Sequence, residues 1–246
     1  MAKLGLDYPT AWGRQAVARG VRRVVLGGVI LPWTRRATSM TMLGVSNIPT
    51  TGPLLFTANH TSHLDTPLAL AAIPPPLRRR TVVAGAVDTF FLKASKAFVT
   101  VLTFNVIPIE RHKVNRRSAE QTLALLNDGW NVLIYPEGGR TTTGSLMEFK
   151  GGAAYLAERS GAPVVPTFLA GAGDWRGAQY AKAEVYLARP NKKQSHVTVA
   201  FGKPLHCGEG ENIRAFNVRI QQAVIELGRA TLGDPSYASD LNASND

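Results

Sequence analysis

Short apolar runs recur along the chain from residue 53 onward, and segments with helical periodicity separate them. The runs have the length and apolar content of buried strands, at Leu54–Ala58, Thr81–Ala84, Asn105–Arg111, Val132–Tyr135, Val164–Leu169, Val185–Leu187 and Val197–Phe201. Helical connections between consecutive strands are typical of parallel sheets. The pattern therefore predicts an α/β fold, a single domain in which helices flank a mostly parallel or mixed central sheet.

The ends of several helices are marked by their residue types. The prolines at 74–76 end one helix, and Ser118 begins a capping box that opens another. A third helix is predicted over Phe149–Arg159, with Gly161 as the residue after its last turn. The long C-terminal helix is predicted over Ile213–Leu232, where apolar residues form one stripe.

A basic amphipathic segment, residues 1–40, precedes this domain. We expect the domain to span residues 41–233 and to be followed by a polar, frayed tail at 234–246. A helix over Thr10–Leu31 would separate apolar from polar side chains. The two groups are Val17, Ala18, Val21, Val24 and Val25 on one side, and Gln15, Arg19, Arg22 and Arg23 on the other.

The amphipathic segment has two interpretations. It is either a helix that packs on its own domain and exposes a basic face, or a helix that lies in a lipid interface and is attracted by anionic head groups. Trp12 and Trp33 lie near its two ends, and indole rings favour a membrane–water boundary. We therefore expect this segment to attach the protein peripherally to the cytoplasmic face of the cell membrane.

The composition indicates a globular protein with an anionic partner. Of the 246 residues 45% are hydrophobic and 18% are charged, which excludes a disordered chain. The net charge is +11, and residues 1–40 hold seven basic side chains against Asp7 alone, so six of the eleven charges lie there. This excess suits nucleic acid, a membrane surface or phosphorylated small molecules. No nucleic-acid partner is expected, because no reading motif and no interleaving of aromatic with basic residues is found.

The only cysteine is Cys207, which excludes an intramolecular disulfide and a cysteine-based zinc site. The N-terminus lacks the layout of a cleaved secretory signal, and no apolar run reaches the roughly 18 residues of a spanning helix. These features predict a reduced, cytosol-facing protein.

The first group of candidate catalytic residues is Asn59–Asp65, which directly follows a predicted strand and directly precedes a helix. His60 and Asp65 can pair across this turn, so that the carboxylate fixes the imidazole tautomer and leaves the other ring nitrogen basic. Such a pair can deprotonate a hydroxyl group near neutral pH. Two alternatives stay open at this point: Asp65 only caps the helix, or His60, His63 and Asp65 ligate a metal ion, although too few further histidines are available.

A second group, Tyr135–Thr141, also follows a strand, and its glycines allow close approach of a ligand to the backbone. Arg140 suits a phosphate, and Glu137 can accept hydrogen bonds from a polyol. Arg111, at another strand end, is a further candidate phosphate contact. No Gly-Lys-Ser/Thr sequence follows, which disfavours nucleotide hydrolysis. Pro166 lies inside a predicted strand and suggests that this strand is at an edge or carries a bulge.

These motifs together resemble the PlsC-type glycerophospholipid acyltransferase family. Four blocks occur in the order of that family, namely Asn59–Asp65 (HxxxxD), Ile107–Arg111, Tyr135–Arg140 (F-P-E-G-T-R) and Val164–Thr167 (V-P). Two positions depart from the pattern. Gly139 replaces the usual threonine of the third block, and the lysine often found after the second strand is absent from Ala84–Asp88.

The resemblance implies a role for each matching residue. His60 is expected to be the general base, and Asp65 its partner. Arg111 is expected to contact the phosphate of the acceptor. Residues of the third block are expected to bind the glycerol phosphate, and these are Glu137, Gly138, Gly139 and Arg140. Asn59 and Pro166 are assigned to acyl-donor binding or to structure, and no metal site is expected.

The expected reaction moves a fatty acyl chain from a thioester donor to the free hydroxyl of 1-acyl-glycerol 3-phosphate and forms phosphatidic acid. The donor is acyl-CoA or acyl carrier protein, which acts as a co-substrate, and no bound cofactor is expected. Backbone amides of the His60 loop or of Gly138 are candidates for holding the oxyanion. Another lysophospholipid, glycerol 3-phosphate or a glycolipid stays open as the acceptor.

Overall fold

The structure is a computed structural model that describes residues 4–111, 116–141, 145–172, 195–238 and 241. Its helices are α1 (Ala16–Val25), α2 (Leu31–Ala37), α3 (Asp65–Ala72), α4 (Pro75–Arg78), α5 (Val87–Phe90), α6 (Ala94–Phe104), α7 (Arg116–Asn127), α8 (Gly152–Ser160) and α9 (Ile213–Leu232). Its strands are β1 (Thr38–Leu43), β2 (Leu55–Ala58), β3 (Thr81–Ala86), β4 (Val106–Ile109), β5 (Asn131–Ile134), β6 (Val164–Ala170) and β7 (Ser195–Phe201).

The described strands form one sheet in the order β1-β7-β6-β2-β5-β3-β4. All neighbours are parallel except β6 and β7, which are antiparallel. The predicted α/β class with a mostly parallel, mixed sheet is therefore confirmed. Because β2, β3, β4 and β5 run in the same direction, the residues that follow them meet at one edge of the sheet.

Helices cover both faces of the sheet and create two cores. Successive residues of β2 point to opposite faces, so Phe56 packs in one core and Leu55 in the other, and both are fully buried. The first core includes Phe91 and Val101 around α6, and the second includes Phe216 of α9. Burial on both faces explains why the strand sequences are continuously apolar rather than alternating.

Most predicted elements are present, with shifts at their ends. The helix over Ile213–Leu232 has the predicted bounds, and Gly161 ends α8 with a left-handed φ of 69°. Helix α8 begins at Gly152, however, and the preceding Phe149 is a buried residue outside the helix. The predicted strand over 185–187 lies outside the described residues.

The predicted capping box at Ser118 is wrong. Helix α7 already includes Arg116, so Ser118 lies inside the first turn, where its carbonyl accepts the Thr122 hydroxyl at 2.8 Å. Serine at an interior position bonds through its backbone like any helical residue, and sequence spacing alone does not distinguish the two positions.

Pro166 was predicted to lie on an edge strand or at a bulge, but its strand is not at an edge and its register with β2 is continuous. Strand β6 lies between β2 and β7. The carbonyl of Pro166 accepts the Gly202 N–H at 2.8 Å, just beyond the end of β7 at Phe201. The proline nitrogen lies on the same side of the strand as its carbonyl, so the missing N–H falls where the β6–β7 ladder has ended.

The N-terminal segment differs from a simple amphipathic helix. A 3-10 turn at Ala11–Arg14 precedes α1, and a π-helical turn at Leu26–Ile30 joins α1 to α2. Arg22, expected on the outer polar side, instead faces the domain and donates to the carbonyl oxygens of Gly13 and Val101, at 2.7 Å each.

Val17, Val21 and Val24 of α1 form an outward-facing valine stripe, whereas Val25 is half-buried. Val17 is 80% exposed and Val24 is 68% exposed, whereas Ala18 and Leu26 are buried. The helix therefore does not bury its valine stripe against its own domain. Among the described residues, no helix is both long and apolar enough to cross a membrane.

Part of the C-terminal tail is packed rather than frayed. Tyr237 meets Phe168 edge-on, with 5.4 Å between ring centroids, and its carbonyl accepts Arg229 Nε at 3.1 Å. The prediction of a frayed tail is therefore wrong for Tyr237 and Ala238, which pack against the second core, whereas residues 234–236 are exposed. Residues 239–240 and 242–246 lie outside the described part.

Candidate active site

His60 and Asp65 form the predicted pair at the carboxyl end of β2. His60 Nδ1 lies 2.7 Å from Asp65 Oδ2, and the same oxygen accepts the backbone N–H groups of Thr61 at 2.7 Å and Ser62 at 2.8 Å. Asp65 is fully buried at the start of α3, whereas a fifth of the His60 side chain is exposed. Because a carboxylate only accepts, His60 Nδ1 donates, and the unprotonated nitrogen of the neutral ring is Nε2.

The loop that carries His60 is fixed at its start by Asn59. The Asn59 side chain accepts the N–H of Leu169 at 2.7 Å and donates to the carbonyl of Leu169 at 3.0 Å. This two-way bond connects the end of β2 to β6. Asn59 therefore has a structural contact. Pro166 lies in β6 as well, opposite Thr57 of β2.

Tyr135 supports the His60 ring from one face. The two rings are stacked with centroids 4.2 Å apart and planes 21° apart. The Tyr135 hydroxyl lies 3.1 Å from Thr66 Oγ1, and burial raises the pKa of this phenol. Sequence reasoning placed Tyr135 in the third block without this role, because a stacking contact between residues so far apart in sequence depends on the sheet order.

Glu137 is 4% exposed, and both of its carboxylate oxygens are engaged. Oε1 accepts the His60 N–H at 2.6 Å, and Oε2 accepts the Met147 N–H at 2.8 Å. Burial raises the pKa of Glu137 to about 7, although these two hydrogen bonds act in the opposite direction. The structure thus brings Glu137 next to His60, in contact with backbone groups.

Arg111 reaches the same edge of the sheet from β4. Its Nε and Nη2 donate to Asp88 Oδ2 at 3.0 and 2.7 Å, and its Nη1 donates to the Gly138 carbonyl at 3.3 Å. Lys150 Nζ donates to the Arg111 carbonyl at 2.6 Å. Sequence reasoning missed the contribution of Asp88, although its position after β3 was a usable signal.

The turn at 138–140 is next to this cluster. Gly138 has a φ of 71°, a left-handed conformation that strains any residue with a side chain, and a Cβ there would lie 2.6 Å from Lys150 Nζ. A Cβ on Gly139 would be 4.0 Å from Arg111 Nη1. The pKa of His63 is lowered to about 4, mainly by burial of the imidazole and next by the nearby charge of Arg140.

The backbone amides considered for an oxyanion already have acceptors. The N–H of His60 donates to Glu137, and those of Thr61 and Ser62 donate to Asp65. The Gly138 N–H donates to the Tyr135 carbonyl at 3.1 Å. An oxyanion would have to displace one of these acceptors to bind the same amides.

Comparison with known proteins identifies similar sequences and a similar fold. The acyltransferase family profile matches residues 39–170. The 1-acyl-sn-glycerol-3-phosphate acyltransferase alpha of Mus musculus is 27% identical over 63% of this chain and 52% of its own length. A 1-acyl-sn-glycerol-3-phosphate acyltransferase of Chlamydomonas reinhardtii is 30% identical over 54% of this chain and 39% of its own.

The chain thus spans about half or less of these two relatives. A solved structure, the 1-acyl-sn-glycerophosphate acyltransferase PlsC from Thermotoga maritima, superposes with a TM-score of 0.59 at 19% identity. The superposition covers 91% of this chain and 84% of that one. At this identity the likeness concerns the fold.

Proposed function

Because the chain belongs to the acyltransferase family, we propose that it transfers a fatty acyl chain from a thioester to the free hydroxyl of 1-acyl-glycerol 3-phosphate. The product is phosphatidic acid, and the donor is acyl-CoA or acyl carrier protein. The observation that carries this proposal is the 2.7 Å contact between His60 Nδ1 and Asp65 Oδ2, at a sheet edge that also holds Arg111. The relatives described above carry the corresponding enzyme name.

His60 acts as the general base through Nε2. It takes the proton of the acceptor hydroxyl as that oxygen attacks the carbonyl carbon of the thioester. The tetrahedral intermediate then collapses and the C–S bond breaks. The leaving thiolate takes this proton from the imidazolium. Asp65 stays ionised and stabilises the imidazolium between these two steps. No covalent bond to the protein forms.

The acceptor phosphate binds at the cationic side of the site. Arg111 and Arg140 supply the guanidinium groups, which match phosphate oxygens in geometry and charge. Gly138 and Gly139 lie beside Arg111, whose Nη1 donates to the Gly138 carbonyl at 3.3 Å and would be 4.0 Å from a Cβ on Gly139. In the structure the Arg111 guanidinium donates to the Asp88 carboxylate, so the phosphate has to compete with this carboxylate.

Asp88 also supports a second class of acceptor. An acidic side chain beside Arg111, in a segment that lacks the lysine often found there in the family, suits an acceptor with less negative charge than a phosphate monoester. Another lysophospholipid or a glycolipid therefore remains the alternative acceptor within the same reaction type.

The valine stripe of α1 serves as the contact with a membrane. Its members Val17, Val21 and Val24 are exposed, and Phe98 and Val99 of the adjoining helix α6 are 51% and 53% exposed. Exposed Arg19 and Arg23 on the same helix provide attraction to anionic lipids. This arrangement attaches the enzyme peripherally, at the cytoplasmic face, where its acceptor lipid lies.

Product analysis tests the proposed function. The purified protein is offered acyl-CoA or acyl carrier protein with lysophosphatidate, other lysophospholipids, glycerol 3-phosphate and a glycolipid. We expect phosphatidic acid as the main product and its loss by several orders of magnitude in a folded His60→Ala variant. Parental turnover in that variant would refute the mechanism, and a different preferred acceptor would replace the substrate assignment.

A further inference from the structure

The backbone of the catalytic histidine is held on both sides by the segment that follows β5. The His60 N–H donates to Glu137 Oε1 at 2.6 Å, and the His60 carbonyl accepts the Thr141 N–H at 2.9 Å. Residues 137–141 therefore fix the peptide groups on either side of the His60 Cα. Asp65 and Tyr135 orient the ring, and Asp65 also accepts the Thr61 N–H of the following peptide group, whereas the His60 N–H itself donates to Glu137.

The Glu137 carboxylate is in turn anchored to the body of the domain. Its second oxygen accepts the Met147 N–H at 2.8 Å. Two residues later, the Phe149 N–H donates to Gln221 Oε1 at 2.7 Å, and the Phe149 carbonyl accepts Asn217 Nδ2 at 2.7 Å. Because Gln221 and Asn217 belong to α9, hydrogen bonds connect this helix to the His60 loop through Glu137.

We propose that Glu137 is a positioning residue for His60, which acts through the His60 backbone N–H rather than by binding the acceptor. This inference rests on the proposed function of His60 as the base. A carboxylate is required because both facing groups are N–H donors, and only a group with two acceptor oxygens satisfies both. A buried carboxylate persists only when its oxygens are hydrogen-bonded, as these are.

The alternative role, contact with the glycerol hydroxyls, makes a different kinetic prediction. A group that binds the acceptor equally in the ground and transition states changes KM, whereas a group that positions the base changes kcat. Glu137→Gln keeps the size of the side chain but presents an amide N–H to one of the two donors, so one hydrogen bond is lost. Glu137→Asp keeps the charge but is one methylene shorter, so it cannot reach both N–H groups.

The test compares these two variants with Glu148→Gln, an exposed glutamate of the same segment. We expect Glu137→Gln and Glu137→Asp to lower kcat about 10- to 100-fold, the range for a base misplaced by about 1 Å, with the KM for lysophosphatidate changed less than about threefold. Glu148→Gln retains the parental values. A rise in KM with kcat unchanged, or parental kinetics in both variants, would overturn the proposal.

A second measurement does not depend on turnover. Amide hydrogen exchange, followed by NMR, reports the protection of the His60 N–H directly. We expect exchange at His60 to be at least about tenfold faster in Glu137→Ala, because this variant removes both acceptor oxygens and with them the acceptor of the His60 N–H. Unchanged exchange would overturn the inference. If the parental protein acylates no acceptor, the proposed function fails, but this exchange experiment still tests the contact between Glu137 and His60.

Discussion

Replacement of Asp65 by asparagine separates the charge of this residue from its geometry. Oδ2 of Asp65 accepts three donors, and two of them are the backbone N–H groups of Thr61 and Ser62. A backbone N–H can only donate a hydrogen bond. The asparagine introduced by Asp65→Asn therefore has to place its carbonyl oxygen at the Oδ2 position. Its amide nitrogen then occupies the Oδ1 position, 3.5 Å from the Thr61 hydroxyl. His60 Nδ1 therefore keeps its proton and its orientation, and only the negative charge is lost.

The loss of this charge affects the state in which His60 is an imidazolium. Two unit charges about 4 Å apart at an effective dielectric constant of about 20 attract each other by about 4 kcal/mol. Because about 1.4 kcal/mol corresponds to a tenfold change in rate, Asp65→Asn should lower kcat about 1000-fold. The KM for either substrate should change little, since the imidazolium forms only during the reaction.

The assay measures thiol release from acyl-CoA in the presence of lysophosphatidate, together with thermal unfolding of each variant. Asp128→Asn is a matched control, because Asp128 also accepts a ring N–H, that of Trp130 at 3.0 Å, but precedes β5 at the opposite end of that strand. Nitrogen-15 NMR of His60 should find the proton on Nδ1 in both parent and Asp65→Asn. A folded variant within tenfold of the parental kcat, or a His60 proton on Nε2, would refute this reasoning.

Three further predictions concern Asp88, Glu137 and the valine stripe of α1. Asp88→Asn frees the Arg111 guanidinium from an exposed ion pair that contributes up to about 1 kcal/mol. The KM for lysophosphatidate should therefore fall about threefold in initial-rate measurements. A rise in KM would contradict the competition between the phosphate and Asp88 for Arg111. Burial raises the pKa of Glu137 to about 7 from its ordinary 4.5, so the native state binds a proton more tightly than the unfolded state. The free energy of unfolding should therefore decrease by about 3 kcal/mol as the pH rises from 4.5 through 7. Denaturant titrations of Glu137→Gln should lack this decrease. Replacing Val17 and Val24 together by aspartate removes two exposed apolar side chains, each of which contributes about 1.5 kcal/mol in a lipid interface. Binding to anionic vesicles should therefore weaken at least about 100-fold in sedimentation assays. The control variant Val218→Asp, on α9, should bind like the parent.

The sequence was informative where a motif is local. His60 and Asp65 are five positions apart, at a junction between strand and helix, and the pairing expected from this spacing is present at 2.7 Å. The convergence of Arg111 and Glu137 on the same edge has a different cause. Parallel strands bring their carboxyl ends together, so residues that follow separate strands become neighbours whatever their distance in sequence.

The N-terminal helix illustrates where a pattern stops being sufficient. Hydrophobic periodicity identified the valine stripe, but it does not say whether that stripe meets the domain or the surroundings. The orientation depends on Arg22, which bonds to carbonyl oxygens of Gly13 and Val101, and on the small Ala18, which permits close approach. Long-range backbone acceptors of this kind leave no periodic signal.

The sequence by itself determined the α/β class, the strand-end location of the site and the identity of the candidate base and its partner, because each depends on local spacing and on the parallel direction of the strands. Only the tertiary structure decided what the charged groups of the site contact. It placed Asp88 on Arg111, both oxygens of Glu137 on backbone N–H groups, and Pro166 inside the sheet rather than at its edge. These contacts join residues that follow different strands, and the order of the strands in the sheet, which sequence spacing does not encode, decides which of them meet.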